Sequence, residues 1–175
     1  MSTNWRISSF NGVLLAAYFI PTWTMVAFKI MVSPIHGLYE QPNISVALFI
    51  SDHLQLAALT TVRFAWLLAL GRLTVVAFFA IFVIFMTRPS IRKSGGCDEA
   101  LAMALAIGSV ISFASMVLAS QVGETGALKL HATELLMLLG TAIVLLVERP
   151  PQPQTDRSAA AGDLSLQQSQ LLEHR

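Results

Sequence analysis

The feature that most constrains this chain is its repeated runs of apolar residues, each close to the length a helix needs to cross a bilayer. A hydrocarbon core about 30 Å thick and a rise of 1.5 Å per residue set that length at about 20 residues. Three runs meet it: about Val13–Val32, Phe64–Met86 and Ala100–Ala119. A fourth, about Leu130–Val147, is shorter and carries His131 and Glu134 near its start. In lipid every backbone polar group must be satisfied within the segment, so these runs predict helices rather than open strands. Composition agrees: 55% of residues are hydrophobic and 12% charged, where a soluble domain carries about 25% charge.

The first run is read as a span rather than a cleaved leader. Only Arg6 precedes it among charged residues, its apolar stretch is long, and no A-x-A site follows. Pro21 within it removes a backbone hydrogen bond and predicts a kink, which Thr22 and Thr24 can relieve by bonding the released carbonyls.

Ile44–Val62 is apolar but interrupted by Ser51, Asp52, His53 and Gln55. An aspartate at the bilayer centre costs about 2.5–3.5 kcal/mol on insertion scales. The segment therefore reads as an interfacial or re-entrant helix starting after Pro42-Asn43, with a fifth span as the alternative. Four spans gather Arg6, Arg88, Arg92, Lys93, Arg149 and Arg157 on one side. The positive-inside rule then places both termini in the cytoplasm and Ile44–Val62 outside. Lys29 and Lys129 fall near the outer ends, where they can snorkel. The expected architecture is thus an all-α integral membrane protein: a four-helix transmembrane bundle over 1–149, an additional amphipathic or re-entrant helix on the outer side, and a cytoplasmic tail over 150–175. Pro150, Pro151 and Pro153 open that tail, and its Ser/Gln/Ala-rich composition predicts disorder.

Several residues stand out within this frame. Arg72 lies about nine residues, hence about 13 Å, into the second run, and Glu134 about five residues into the fourth. Intramembrane charges usually face the bundle interior and pair. An Arg72–Glu134 ion pair is expected, with His131 on the same helical face as Glu134. On the outer side His36, Glu40, Asp52 and His53 form a second polar group, without the spacing of a zinc signature. Ala104, Gly108 and Ser112 recur every four residues on one face of the third run, flanked by Ala100, Ser115 and Ala119. Small residues at that spacing let membrane helices approach closely, the partner being internal or another chain.

The sequence carries no nucleophile-elbow, P-loop or HExxH pattern. Its one cysteine, Cys97, reads as a loop thiol and excludes an internal disulfide and a Cys-based metal centre. Of four histidines only His131 lies on a span, which disfavours haem. A net charge of +1 gives no basic patch for nucleic acid. No cofactor or metal is expected. The apolar stretch from Leu73 to Arg88-Pro89 resembles the amino-terminal half of bacterial isoprenylcysteine methyltransferase-like membrane proteins. The Arg-His-Pro run of that family's catalytic segment has no counterpart here, so the resemblance implies no methyltransferase activity. These observations favour an accessory or scaffolding subunit of a membrane complex, partnered by another membrane protein or by itself. A small transporter using Arg72 and Glu134, and an enzyme with an outer-face polar site, are the alternatives.

Overall fold

A computed structural model describes residues 7–55, 57–88 and 96–148. Arg6, Arg92, Lys93, Arg149 and the 150–175 tail lie outside the described residues. The described residues form six α-helices: α1 (Ile7–Val32), α2 (Pro34–Leu38), α3 (Ile44–Phe49), α4 (Ala58–Thr87), α5 (Gly96–Gln121) and α6 (Thr125–Glu148). A single π-helical turn, Ile50–Leu54, extends α3. α1, α4, α5 and α6 are the four helices long and apolar enough to cross a membrane. The chain is an all-α bundle with membrane-spanning helices.

The four long helices alternate in direction and close a ring in the order α1, α4, α5, α6. The α1–α6 seam is the least extensive of the four contacts. α2, α3 and the π turn cover one end of the ring, here the loop end. The start of α1 and the end of α6 meet at the other, here the terminal end. There the Glu148 carboxylate accepts from the backbone N–H groups of Ile7 (2.9 Å) and Ser8 (3.1 Å) and from the Ser8 hydroxyl. A helix start leaves its first amides without partners and carries partial positive charge, so a carboxylate is well placed there.

Large apolar side chains point away from the ring, among them Phe28, Leu67, Val110 and Leu136. That outward apolar surface is what lipid solvates. Inside, Phe19 stacks on Phe79 at 5.6 Å and packs edge-on against Trp23 at 5.0 Å. Phe82, Leu101, Leu105, Leu138 and Leu145 fill the rest of the terminal half. Gly12 makes room for this packing: a Cβ there would stand 2.8 Å from the Phe82 ring and 2.9 Å from Leu101, so those side chains would have to shift. A smaller cluster of Ala27, Ile30, Leu38, Ala47, Ala65 and Ala69 seats the loop-end cap. Gly37 lets α2 meet α1, since a Cβ would come within 2.7 Å of the Ile30 backbone.

The spans run past their apolar cores. α1 begins at Ile7 rather than near Val13, α5 at Gly96 rather than Ala100, and α6 at Thr125 rather than Leu130. Polar residues at membrane-helix ends are cheap to keep helical, so hydropathy alone underestimates length. The larger correction concerns Ile44–Val62, expected as one interfacial helix. It is divided at Gln55, whose φ of 43° lies in the left-handed region. Ala58–Val62 belongs to the first turns of the second span instead. α1 runs unbroken through Pro21, which faces outward, and Thr22 Oγ1 donates to Tyr18 O at 2.6 Å. Cys97 is no loop residue: it is buried in the first turn of α5.

Candidate functional site

A buried polar cluster occupies the loop-end half of the ring. Arg72 comes from α4, His131 and Glu134 from α6, Trp23 from α1 and Ser112 from α5, so every long helix contributes. Arg72 and His131 are each 2% exposed and Glu134 is 5% exposed. The three candidate residues named from sequence are therefore brought together.

Their contacts differ from the expected ones. Among the described residues no ion pair or hydrogen bond joins Arg72 directly to Glu134. The Glu134 carboxylate accepts from Trp23 Nε1 at 3.1 Å and from the Ser112 hydroxyl at 3.4 Å. It also faces His131 Nδ1 at 3.0 Å. The Arg72 guanidinium lies over the Trp23 ring, 5.6 Å from its centroid, and Nη2 donates to Pro42 O at 3.4 Å. Trp23 thus links the two charges through its ring face and its N–H. The physical reason is that an indole face attracts a cation while its edge donates.

Pro42 reaches the cluster because the α2–α3 loop dips toward the ring. Asn43, fully buried, holds the loop by donating from Nδ2 to Gly37 O at 2.8 Å. The Pro42 carbonyl then meets His131 Nε2 at 3.0 Å. Both ring nitrogens of His131 consequently face an acceptor. A neutral imidazole donates from one nitrogen only, so which of the two contacts carries the proton depends on the tautomer. A cavity of about 250 Å³ adjoins the cluster and is lined by Tyr18, Thr22, Trp23, Arg72, His131 and Glu134 among others.

Ala104, Gly108 and Ser112 are buried within the ring. A Cβ on Gly108 would meet Leu138 at 3.4 Å and Val75 at 3.6 Å. The stripe's partners are therefore α4 and α6 of the same chain, and Ser112 also serves Glu134. On the loop end, His36, Asp52 and His53 are exposed. His53 stacks on Phe49 at 4.8 Å, while Glu40 pairs with Lys29 at 2.9 Å. Among the described residues no group of three or more His, Cys, Asp or Glu could hold a metal ion. Trp23 and the Pro42 carbonyl were not foreseen. No family model, curated protein or solved structure matches this chain.

Proposed function

We propose that the protein is a non-catalytic accessory or scaffolding subunit of a membrane complex. One observation supports this reading: the polar cluster is closed off toward the terminal end by a packed apolar core. Phe19, Phe79, Phe82, Leu101, Leu105 and Leu138 pack the bundle axis there and are fully or almost fully buried. An ion or proton path through this ring would need polar groups or water along its length. Here the charged residues brace five segments of the chain against one another instead. The described residues present no nucleophile with its base and almost no mass outside the helices and short loops, which also suits a subunit rather than an enzyme.

The natural setting is a bacterial inner membrane, with the terminal end cytoplasmic. Seven Lys and Arg residues, Arg6, Arg88, Arg92, Lys93, Arg149, Arg157 and Arg175, belong to that side by chain order. Lys29, Arg63 and Lys129 belong to the loop end, so the basic excess favours the same orientation.

Purification of the tagged protein in mild detergent, followed by mass spectrometry, tests the role. A membrane protein recovered in constant ratio supports it. The competing transporter reading predicts recovery without a partner, together with flux into liposomes that falls on Arg72→Ala and Glu134→Ala. That pair of results would overturn the subunit reading. Cysteine labelling at positions 6 and 92 checks the orientation, which requires both on the cytoplasmic side.

A further inference from the structure

We infer that the α1–α6 seam is a binding site for a single-chain or double-chain amphiphile with an anionic head, and that Arg72 receives the head.

The first ground is charge. Arg72 is a cation, and among the described residues no carboxylate lies within ion-pair distance of it: the Glu134 oxygens are engaged by Trp23, Ser112 and His131. Trp23, Ser112 and the Pro42 carbonyl add no charge. Lys29 and Glu40, on the loop end, pair with each other at 2.9 Å. Among the described residues the Arg72 guanidinium is left without a direct counter-ion at a position 2% exposed. Buried charges in membranes are costly unless matched by an opposite charge.

Hydrogen bonding gives the second ground. A guanidinium carries five N–H donors. Arg72 uses one, in a long bond of 3.4 Å to Pro42 O. Its Nε is buried and has no partner. The face over Trp23 accepts no hydrogen bond, so the donor edge remains for an oxyanion. Phosphate and carboxylate both match that edge in two-pronged geometry.

The third ground is shape. The cavity beside Arg72 is lined by Tyr18 and Thr22 of α1 and by Leu130 of α6 among others, and Tyr18 is exposed. About one helical turn toward the terminal end, the same seam holds a second hollow of about 330 Å³, lined by Leu14, Leu15, Leu136, Met137, Gly140 and others. A chamber holding the Arg72 guanidinium, followed on the same two helices by a shallow hollow lined by Leu14, Leu15, Leu136 and Met137 together with Asn11 and Thr141, fits a head with its chain directed toward the bilayer centre. An amphiphile entering from the leaflet at the loop end has that orientation. Gly140 has open space where its Cβ would be, so the hollow is not closed by packing there.

Native mass spectrometry of the purified full chain tests this with phosphatidylglycerol, oleate and, as an uncharged probe, monoolein. Phosphatidylglycerol or oleate should be retained at least about tenfold more tightly than monoolein, and which of the two wins identifies a phosphate or a carboxylate head. Arg72→Gln should abolish that preference and Arg72→Lys should restore part of it. Gly140→Phe, which leaves the cluster untouched, should weaken the long-chain ligand while sparing a short-chain analogue such as hexanoate. Equal retention of all three probes would overturn the proposal. So would a charge preference that survives both Arg72→Gln and Gly140→Phe. These readouts concern lipids alone and are separable from the recovery of a protein partner.

Discussion

Phe79 and Glu134 lie in opposite halves of one four-helix ring, and both are almost completely withdrawn from the surface. Phe79 is held by many small dispersion contacts with Phe19 and its neighbours, none of which is directional. Glu134 is held by three defined partners on three helices, Trp23, Ser112 and His131. The apolar half can lose a methyl group and relax. The polar half has no such tolerance, because each group removed strands another in a medium without water. The terminal half therefore supplies cohesion, and the loop-end half supplies the fixed relative placement of the helices.

Substitutions separate the two kinds of restraint. The largest effect is expected for Phe79→Ala, which empties the stacking position and should cost about 3–5 kcal/mol in a reversible unfolding assay in detergent. Glu134→Ala comes next at about 2–4 kcal/mol, since it leaves the Trp23, Ser112 and His131 groups without their shared acceptor. The double exchange Arg72→Glu with Glu134→Arg should be no more stable than the poorer single variant. Rescue by the exchange would mean that the two charges pair directly, against the geometry described above. Trp23→Phe keeps the ring face under Arg72 but deletes the N–H to Glu134. It should cost about 0.6–1.7 kcal/mol, the range of hydrogen bonds between membrane helices. The smallest effect, of opposite sign, is expected at Gln55. Its left-handed backbone costs about 1–2 kcal/mol for a side-chain-bearing residue. Gln55→Gly relieves that and forfeits about 0.5–1 kcal/mol of chain entropy, so a gain of about 0.5 kcal/mol should appear as a small rise in Tm.

What could be read in the sequence follows from the same contrast. Four spans were legible because bilayer thickness converts directly into a length of apolar sequence, and α1, α4, α5 and α6 each contain such a stretch. Arg72, His131 and Glu134 were legible as candidates because ionisable groups are conspicuous among apolar ones. Their wiring was not. Trp23 has an apolar body that suits lipid or core equally well, and only its placement beside Glu134 reveals the donor. The Pro42 carbonyl is a backbone group, which no residue type announces. The break at Gln55 was hidden because the turn uses a residue that ordinarily avoids a positive φ. The small-residue stripe was legible as a packing face, while its partners within the chain emerged only from the ring order.

The contact between Glu148 and the amides of Ile7 and Ser8 joins positions about 140 residues apart. A ribosome threading this chain into the bilayer releases the first helix long before its counterpart emerges. The opening turn of α1 must wait, its amides answered by water or headgroups, until the final turn of α6 has been made. Ring closure is then a late event of biogenesis, and a chain cut short by a single helical turn at that point would insert four helices yet leave their circle unlatched.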